Sequence, residues 1–147
     1  MVAGQTGAVI AFLVRLLALW TQPAGAWDDA GVAFRAAYAG PVLVNGTEMP
    51  VAQLADRARA LQRAFDQPGI HILDAVETPD RIVIAFLMRG RHAGPFNSPP
   101  GTVAPARRDI EVRTIDVLAV TAGVVSASWV VSGDLGLLRQ LDAARLA

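Results

Sequence analysis

SASWVVSGDLGLLRQLDA, residues 126–143, changes its period part-way along. Up to Ser132 the chain alternates, with Ser126, Ser128 and Ser132 on one side and Ala127, Trp129 and Val131 on the other, as side chains do along a strand. Beyond Asp134 the apolar residues recur at helical spacing over 135–141, and Asp134 stands where a capping carboxylate often begins such a run. A strand with one apolar and one wet face, closed by a short helix, must bury its apolar side against another layer. Gly133 continues that apolar side.

Working outward, the segments IHILDAVE (70–77), RIVIAFLMRGRH (81–92), RDIEVRTIDVLAV (108–120) and VVSASWVVS (124–132) all read as strands. The turn residues TPD and TAG and the Pro-rich stretch 94–105 separate them, and that stretch is long enough to form a mobile lip. Before Ile70 the period is helical. Val9, Phe12, Leu13, Leu16 and Trp20 form one stripe of a first helix, and a short second helix spans about 30–38, capped by Asp28 or Asp29 and stopped by Pro41. VLVN (42–45) reads as a brief strand ending in an Asn45-Gly46 turn. In a third helix, 51–65, Val51, Leu54, Ala58, Leu61 and Phe65 share the buried face and Asp56, Arg57, Arg59 and Arg63 the wet one, with Gln67-Pro68-Gly69 as the stop.

Helices first and an antiparallel meander second predict an α+β fold, three N-terminal helices packed on a curved, mainly antiparallel sheet. Such a sheet, wrapped by helices, leaves a cone in which a small ligand can sit. Trp129, Val131 and Gly133 are expected to face into it. The neighbouring strand contributes either Ile115, Val117 and Ala119 or the opposite set.

Composition narrows the function. A chain of 147 residues, 53% hydrophobic, buries one core, so 1–147 reads as a single domain. A formal charge of +0 and no basic run interleaved with aromatics argue against nucleic acid as a partner. Every basic residue is Arg and there is no Cys, which excludes lysine Schiff-base chemistry, thiol catalysis and thiolate metal sites. Two histidines without a carboxylate spacing motif make no metal site, and no cofactor motif is present. AVIAFLVRLLALW (8–20) carries Arg15 inside the apolar run and is too short to span a bilayer, so it reads as a core helix of a cytoplasmic protein rather than a membrane or export segment.

Several motifs occur in an order that resembles the SnoaL-like polyketide cyclases, within the NTF2-like cone folds. They are the helix Leu13–Trp20, Tyr38-Ala39 followed by VLVNG, the turn Thr78-Pro79-Asp80-Arg81-Ile82, Gly90-Arg91-His92-Ala93-Gly94, Ile115-Asp116-Val117, Ala122-Gly123, Trp129 and Gln140-Leu141. The resemblance implies a cyclase of polyketide or other secondary metabolism, acting without a cofactor on a small substrate, and a homodimer whose sheets pair back to back. It also implies an acid, an Asp four residues after the Trp, supported by a His on the adjacent strand. Here those places hold Gly133 and Ala119, with Pro41 and Ala85 in two further places that are commonly charged.

A pocket stripped of those charges suits ring closure in a largely apolar substrate by conformational preorganisation, for example a pericyclic step, since orienting a flexible chain can be worth up to roughly 7–11 kcal/mol. Two other readings remain open: acid/base cyclisation or isomerisation using Asp134 or His92, and a non-catalytic ligand-binding dimer. Asp134 is either a displaced acid or a helix cap, and His92 either a base or hydrogen-bond donor at the mouth or a structural residue. Asn45 either polarises a carbonyl or only forms its turn. Trp20, Tyr38, Phe65, Phe86, Met88 and Trp129 are core-type residues that could contact substrate, with Trp129 the best placed to stack. Asp116 reads as outward or structural, and Thr114, Asp116, Ser126 and Ser128 as the face turned to the dimer partner.

Overall fold

The computed structural model describes residues 7–22, 27–98 and 101–144, with the side chains of 27–30 outside that description. In chain order the elements are α1 (Gly7–Thr21), α2 (Trp27–Ala37), β1 (Tyr38–Val44), β2 (Thr47–Met49), α3 (Val51–Ala64), β3 (Phe65–Glu77), β4 (Arg81–His92), β5 (Phe96–Ser98), β6 (Gly101–Val103), β7 (Asp109–Thr121), β8 (Val124–Ser132) and α4 (Asp134–Gln140). Six strands form one sheet in the order β2-β1-β8-β7-β4-β3, antiparallel except where β1 runs parallel to β8. This is the α+β cone expected from the change of period.

Sheet curvature has identifiable causes. Register breaks in β3 at Asp66/Gly69 and Ile72/Asp74, and between β7 and β8 at Ala119/Val120, are irregularities of the kind that bend a strand and tighten its twist. The first break overturns an expectation: Gln67-Pro68-Gly69 does not end a helix but lies within β3, with Gln67 at φ 47, because α3 has already stopped at Ala64. Likewise Pro41 lies inside β1 rather than stopping α2, which ends at Ala37, and Tyr38 belongs to the strand. The proposed caps Asp28 and Asp29 fall among the side chains outside the description. Asn45-Gly46 and Ala122-Gly123 make tight hairpin turns, each with two positive φ values.

Helices α1 and α3 cover the concave face, where Leu13, Leu16, Leu54, Ala58, Ile84 and Leu118 form the centre of the main core. Gln62 of α3 holds the helix pair together, its amide donating to the carbonyls of Leu19, Trp20 and Gln22 at 3.3–3.4 Å. A second cluster around Phe65, Met88, Ile110, Val112 and Leu137 fills the end under α4. Residues 94–105, expected as a mobile lip, include the hairpin β5–β6, whose Phe96 packs on Phe65 with ring centroids 5.7 Å apart. Among the described residues no helix is long and apolar enough to cross a membrane.

On β8, and for Asp116 of β7, the faces are the reverse of those expected, while Phe86 and Met88 of β4 line the inside as expected. The even-numbered residues of β4 and β7, and those of β8 from Ser128 onward, line the helix side, whereas before the register break at Ala119/Val120 the parity of β8 is shifted, so that Val125 is fully buried in the core. Val83, Val117 and Trp129 pair across three strands, as do Ala85, Ile115 and Val131, and they form an apolar strip on the convex side. Trp129 is 59% and Val131 75% exposed. The physical reason is where α1 and α3 pack, a long-range fact that alternation within one strand does not carry.

Candidate functional site

Between α1, α3 and the concave sheet lies a cavity of about 310 Å³, lined also by Phe96 and by Leu137 of α4. That is near the lower end of the range for small-molecule sites. Most of its wall is apolar, from Leu13, Leu16, Leu54, Ile84, Phe86 and Met88. The polar exceptions are few. Thr114, Asp116, Ser128 and Ser132 line it from β7 and β8, Tyr38 from the start of β1, Trp20 and Thr21 from α1, and Arg57 and Asp134 at exposed positions.

Asp116 is the central titratable group. It pairs with Ile84 and Val130 on the flanking strands, so its carboxyl projects from the sheet into the cone. The Ser128 hydroxyl donates to its Oδ1 at 2.7 Å. Burial pushes the carboxyl up to about 6, against the lowering effect of the Ser128 bond. A carboxyl there exchanges a proton readily at neutral pH.

Tyr38 lines the same cavity from the start of β1. Its oxygen accepts from the Trp20 indole N–H at 2.9 Å, and its ring stacks on Phe34 at 5.8 Å between centroids. Burial holds the phenol far above its ordinary value, and the charge of Asp116 pushes it the same way. Tyr38 therefore stays protonated beside Asp116 and can donate a hydrogen bond. A neutral donor next to a poised carboxyl is what proton abstraction beside a carbonyl requires.

The chain as a whole has known counterparts. The family model of the SnoaL-like polyketide cyclases matches residues 12–141. This chain belongs to that family. SnoaL-like membership supports a cyclase-type activity on a small-molecule substrate. Solved structures with the same fold include TsrD from Streptomyces laurentii, at 18% identity and TM-score 0.77 over 95% of this chain and 98% of that one. AclR from Streptomyces galilaeus follows at 17% and 0.74, over 96% and 100%. IdmH from Streptomyces antibioticus stands at 18% and 0.70, over 90% and 97%. A protein from Catenulispora acidiphila, 14% identical with TM-score 0.68 over 90% and 93%, is described as having a ketosteroid isomerase-like fold. No curated protein matches the chain in sequence.

Within this SnoaL-like cone the residues singled out from the sequence divide sharply. Trp20, Tyr38, Phe65, Phe86, Met88 and Asp134 line the cavity. Trp129 and Val131 are on the convex face and cannot touch its contents, contrary to expectation. Gly133 shares their parity, with φ −76 and its N–H donating to the Arg113 carbonyl at 2.9 Å, so it leaves no void beside the ligand. Gly133 is also the N-cap residue of α4, and Asp134 sits in the first turn, its Oδ1 accepting from Ser132 at 2.9 Å.

His92 is not at the mouth. It is 0% exposed, its Nδ1 accepts the Ala106 N–H at 2.9 Å, and its Nε2 has no hydrogen-bond partner. Burial lowers its pKa, with the Gly94 backbone opposing. The glycines around it serve close packing: a Cβ on Gly94 would collide with the Arg63 carbonyl, and one on Gly90 would press on Phe65 at 3.3 Å. The Gly-x-His-x-Gly segment thus ties the hairpin region to the end of α3. Asn45 is likewise outside the cavity, its side chain bridging the N–H of Val130 at 2.8 Å and its carbonyl at 3.3 Å.

Sequence reasoning missed Asp116 and Ser128 because it turned β8, and Asp116 of β7, to the wrong face, and it placed Arg57 on the solvent face of α3. Asp116, Thr114 and Ser128, expected to face a partner subunit, face the cavity instead. One signal was available: Asp116, Thr114, Ser128 and Ser132 fall on a single face, and clustered polar residues opposite an exposed apolar strip are as compatible with a lined cavity as with a wet surface. No group of His, Asp and Glu among the described residues could hold a metal ion.

Proposed function

We propose that this SnoaL-like protein closes a ring in a small, largely apolar polyketide-type substrate by acid/base chemistry centred on Asp116. The supporting observation is the Asp116 carboxyl, raised to about 6 on the wall of an apolar cavity and flanked by the protonated Tyr38. As carboxylate, Asp116 removes a proton from the carbon beside a substrate carbonyl, and the Tyr38 hydroxyl stabilises the enolate oxygen. The enolate carbon bonds to a second carbonyl carbon of the same molecule, and the resulting alkoxide takes the proton back from Asp116. Electrons and protons balance within the substrate and Asp116. An isomerisation would use the same two residues without the carbon–carbon bond.

The apolar walls favour one rival, preorganisation of a flexible substrate for a pericyclic step without proton transfer. Asp116→Asn separates the two with a cognate substrate. Loss of general acid/base catalysis should lower kcat by roughly 10²–10⁴-fold. Turnover within about tenfold, or 1.4 kcal/mol in barrier, would favour the pericyclic reading, and ligand binding without any acceleration by the native protein would favour a carrier.

Assembly belongs to this reading as well. A homodimer through the convex strip Val83, Ile115, Trp129 and Val131 would cover apolar side chains that otherwise face water. It replaces the Ser-bearing face as the candidate interface, because that face lines the cavity.

A further inference from the structure

The charge layout of the cavity carries a statement about its substrate. Besides Tyr38, which stays neutral, the ionisable side chains among its lining are Asp116 on the sheet wall, Asp134 at the start of α4, and Arg57 on α3. Arg57 is the only cation among the described lining residues, and it makes no ion pair among the described residues. Asp56, its neighbour, pairs instead with Arg59 at 3.9 Å, and Asp134 is engaged by Ser132. Arg57 lies on the stripe that also carries Leu54 and Leu61, residues that recur at i, i+3 and i+7 and all line the cavity. The three Gln62 bonds to the end of α1 fix the rotation of α3, so this placement is set by the helix pairing.

We infer that Arg57 is a specificity-determining residue that selects and orients substrates carrying one anionic group, a carboxylate or an ionised enol, held against the α3 wall of the cavity. An anion is repelled from the sheet side by Asp134 and, once it has ionised, by Asp116. The helix side offers it a guanidinium, whose planar fork suits a carboxylate. With the anion held there, the apolar body fills the space between α1, α3 and the sheet. The substrate class is accordingly an amphipathic acid rather than a neutral hydrocarbon-like polyene. This rests on the cavity being the substrate site, as proposed above, but not on the acid/base step.

The test is calorimetric titration at neutral pH with naphthylpropanoate and its primary amide, two probes alike in shape and different in charge. Native protein is expected to bind the acid about tenfold more tightly than the amide, equivalent to 1.4 kcal/mol. In Arg57→Gln the acid should fall to the affinity of the amide, while the amide is unchanged within about twofold; Arg57→Lys should keep part of the preference. Asp116→Asn should retain the acid preference whether or not it retains turnover, which separates this inference from the acid/base mechanism. Equal affinity of native protein for both probes, an acid preference that survives in Arg57→Gln, or no binding of either probe would overturn it.

Discussion

Asp116→Asn should make the protein more stable at alkaline pH, and the size follows from the burial of the carboxyl. Its pKa is raised from 3.8 to about 6, mainly by desolvation. Between those values the unfolded chain has released its proton and the folded one has not. A raised pKa leaves the folded state unpenalised below about pH 4 and costs it stability progressively as pH rises to about 6. A shift of roughly two units at 1.36 kcal/mol each makes the full cost about 3 kcal/mol. Asn is never charged, keeps an oxygen for the Ser128 hydroxyl, and turns its N–H₂ towards a cavity open to water. Screening through that opening reduces the gain, so we expect about 1–3 kcal/mol at ~pH 8. With a urea slope near 2 kcal/mol per molar, the unfolding midpoint should rise by roughly 0.5–1.5 M. At about pH 4 the gain should shrink to well under 1 kcal/mol. Urea titrations of both proteins at the two pH values, followed by tryptophan fluorescence, make the comparison. No stabilisation at ~pH 8, or a gain of equal size at both pH values, would refute the assignment of Asp116 as a desolvated carboxyl.

His92, whose pKa burial lowers, should remain neutral as pH falls through the ordinary value of about 6.5, and its contribution to stability should be lost only on further acidification. Imidazole resonances that titrate at or above that value would show that the ring is not held as an acceptor for Ala106. Ala122, at φ 51 in the β7–β8 turn, should be replaceable by Gly with a gain of about 1 kcal/mol on relief of the left-handed backbone, read by calorimetry; a loss would mean that the methyl group makes a compensating contact. Val131→Arg, on the exposed strip, should leave the fold unchanged and convert a dimer to a monomer in sedimentation at micromolar concentration, and a native protein already monomeric there would end the dimer proposal.

Much of the fold was legible because its determinants are local. β4 and β8 begin and end where alternation and the turn residues place them, and the α1 stripe of Val9, Leu13 and Leu16 is buried as its spacing requires. Failures came where a local rule met a tertiary constraint. Pro41 and Pro68 were read as stops, yet both lie within strands, Pro68 at a break in register. His92 looked functional between two glycines, but those glycines serve the packing of β4 on the end of α3.

The sequence by itself determined the types of the long elements, the single meander of long strands and the family to which the chain belongs, since period, turn chemistry and motif order are properties of neighbouring residues. Only the tertiary structure decided which side of the sheet is the inside. Alternation divides β8 into Trp129 and Val131 on one face and Ser128, Val130 and Ser132 on the other, and it is silent on which of them α1 and α3 will cover. The helices cover the serine side, so Asp116 becomes a desolvated carboxyl in a cavity and Trp129 a surface side chain. The same two residues would exchange environments if the helices packed on the opposite face.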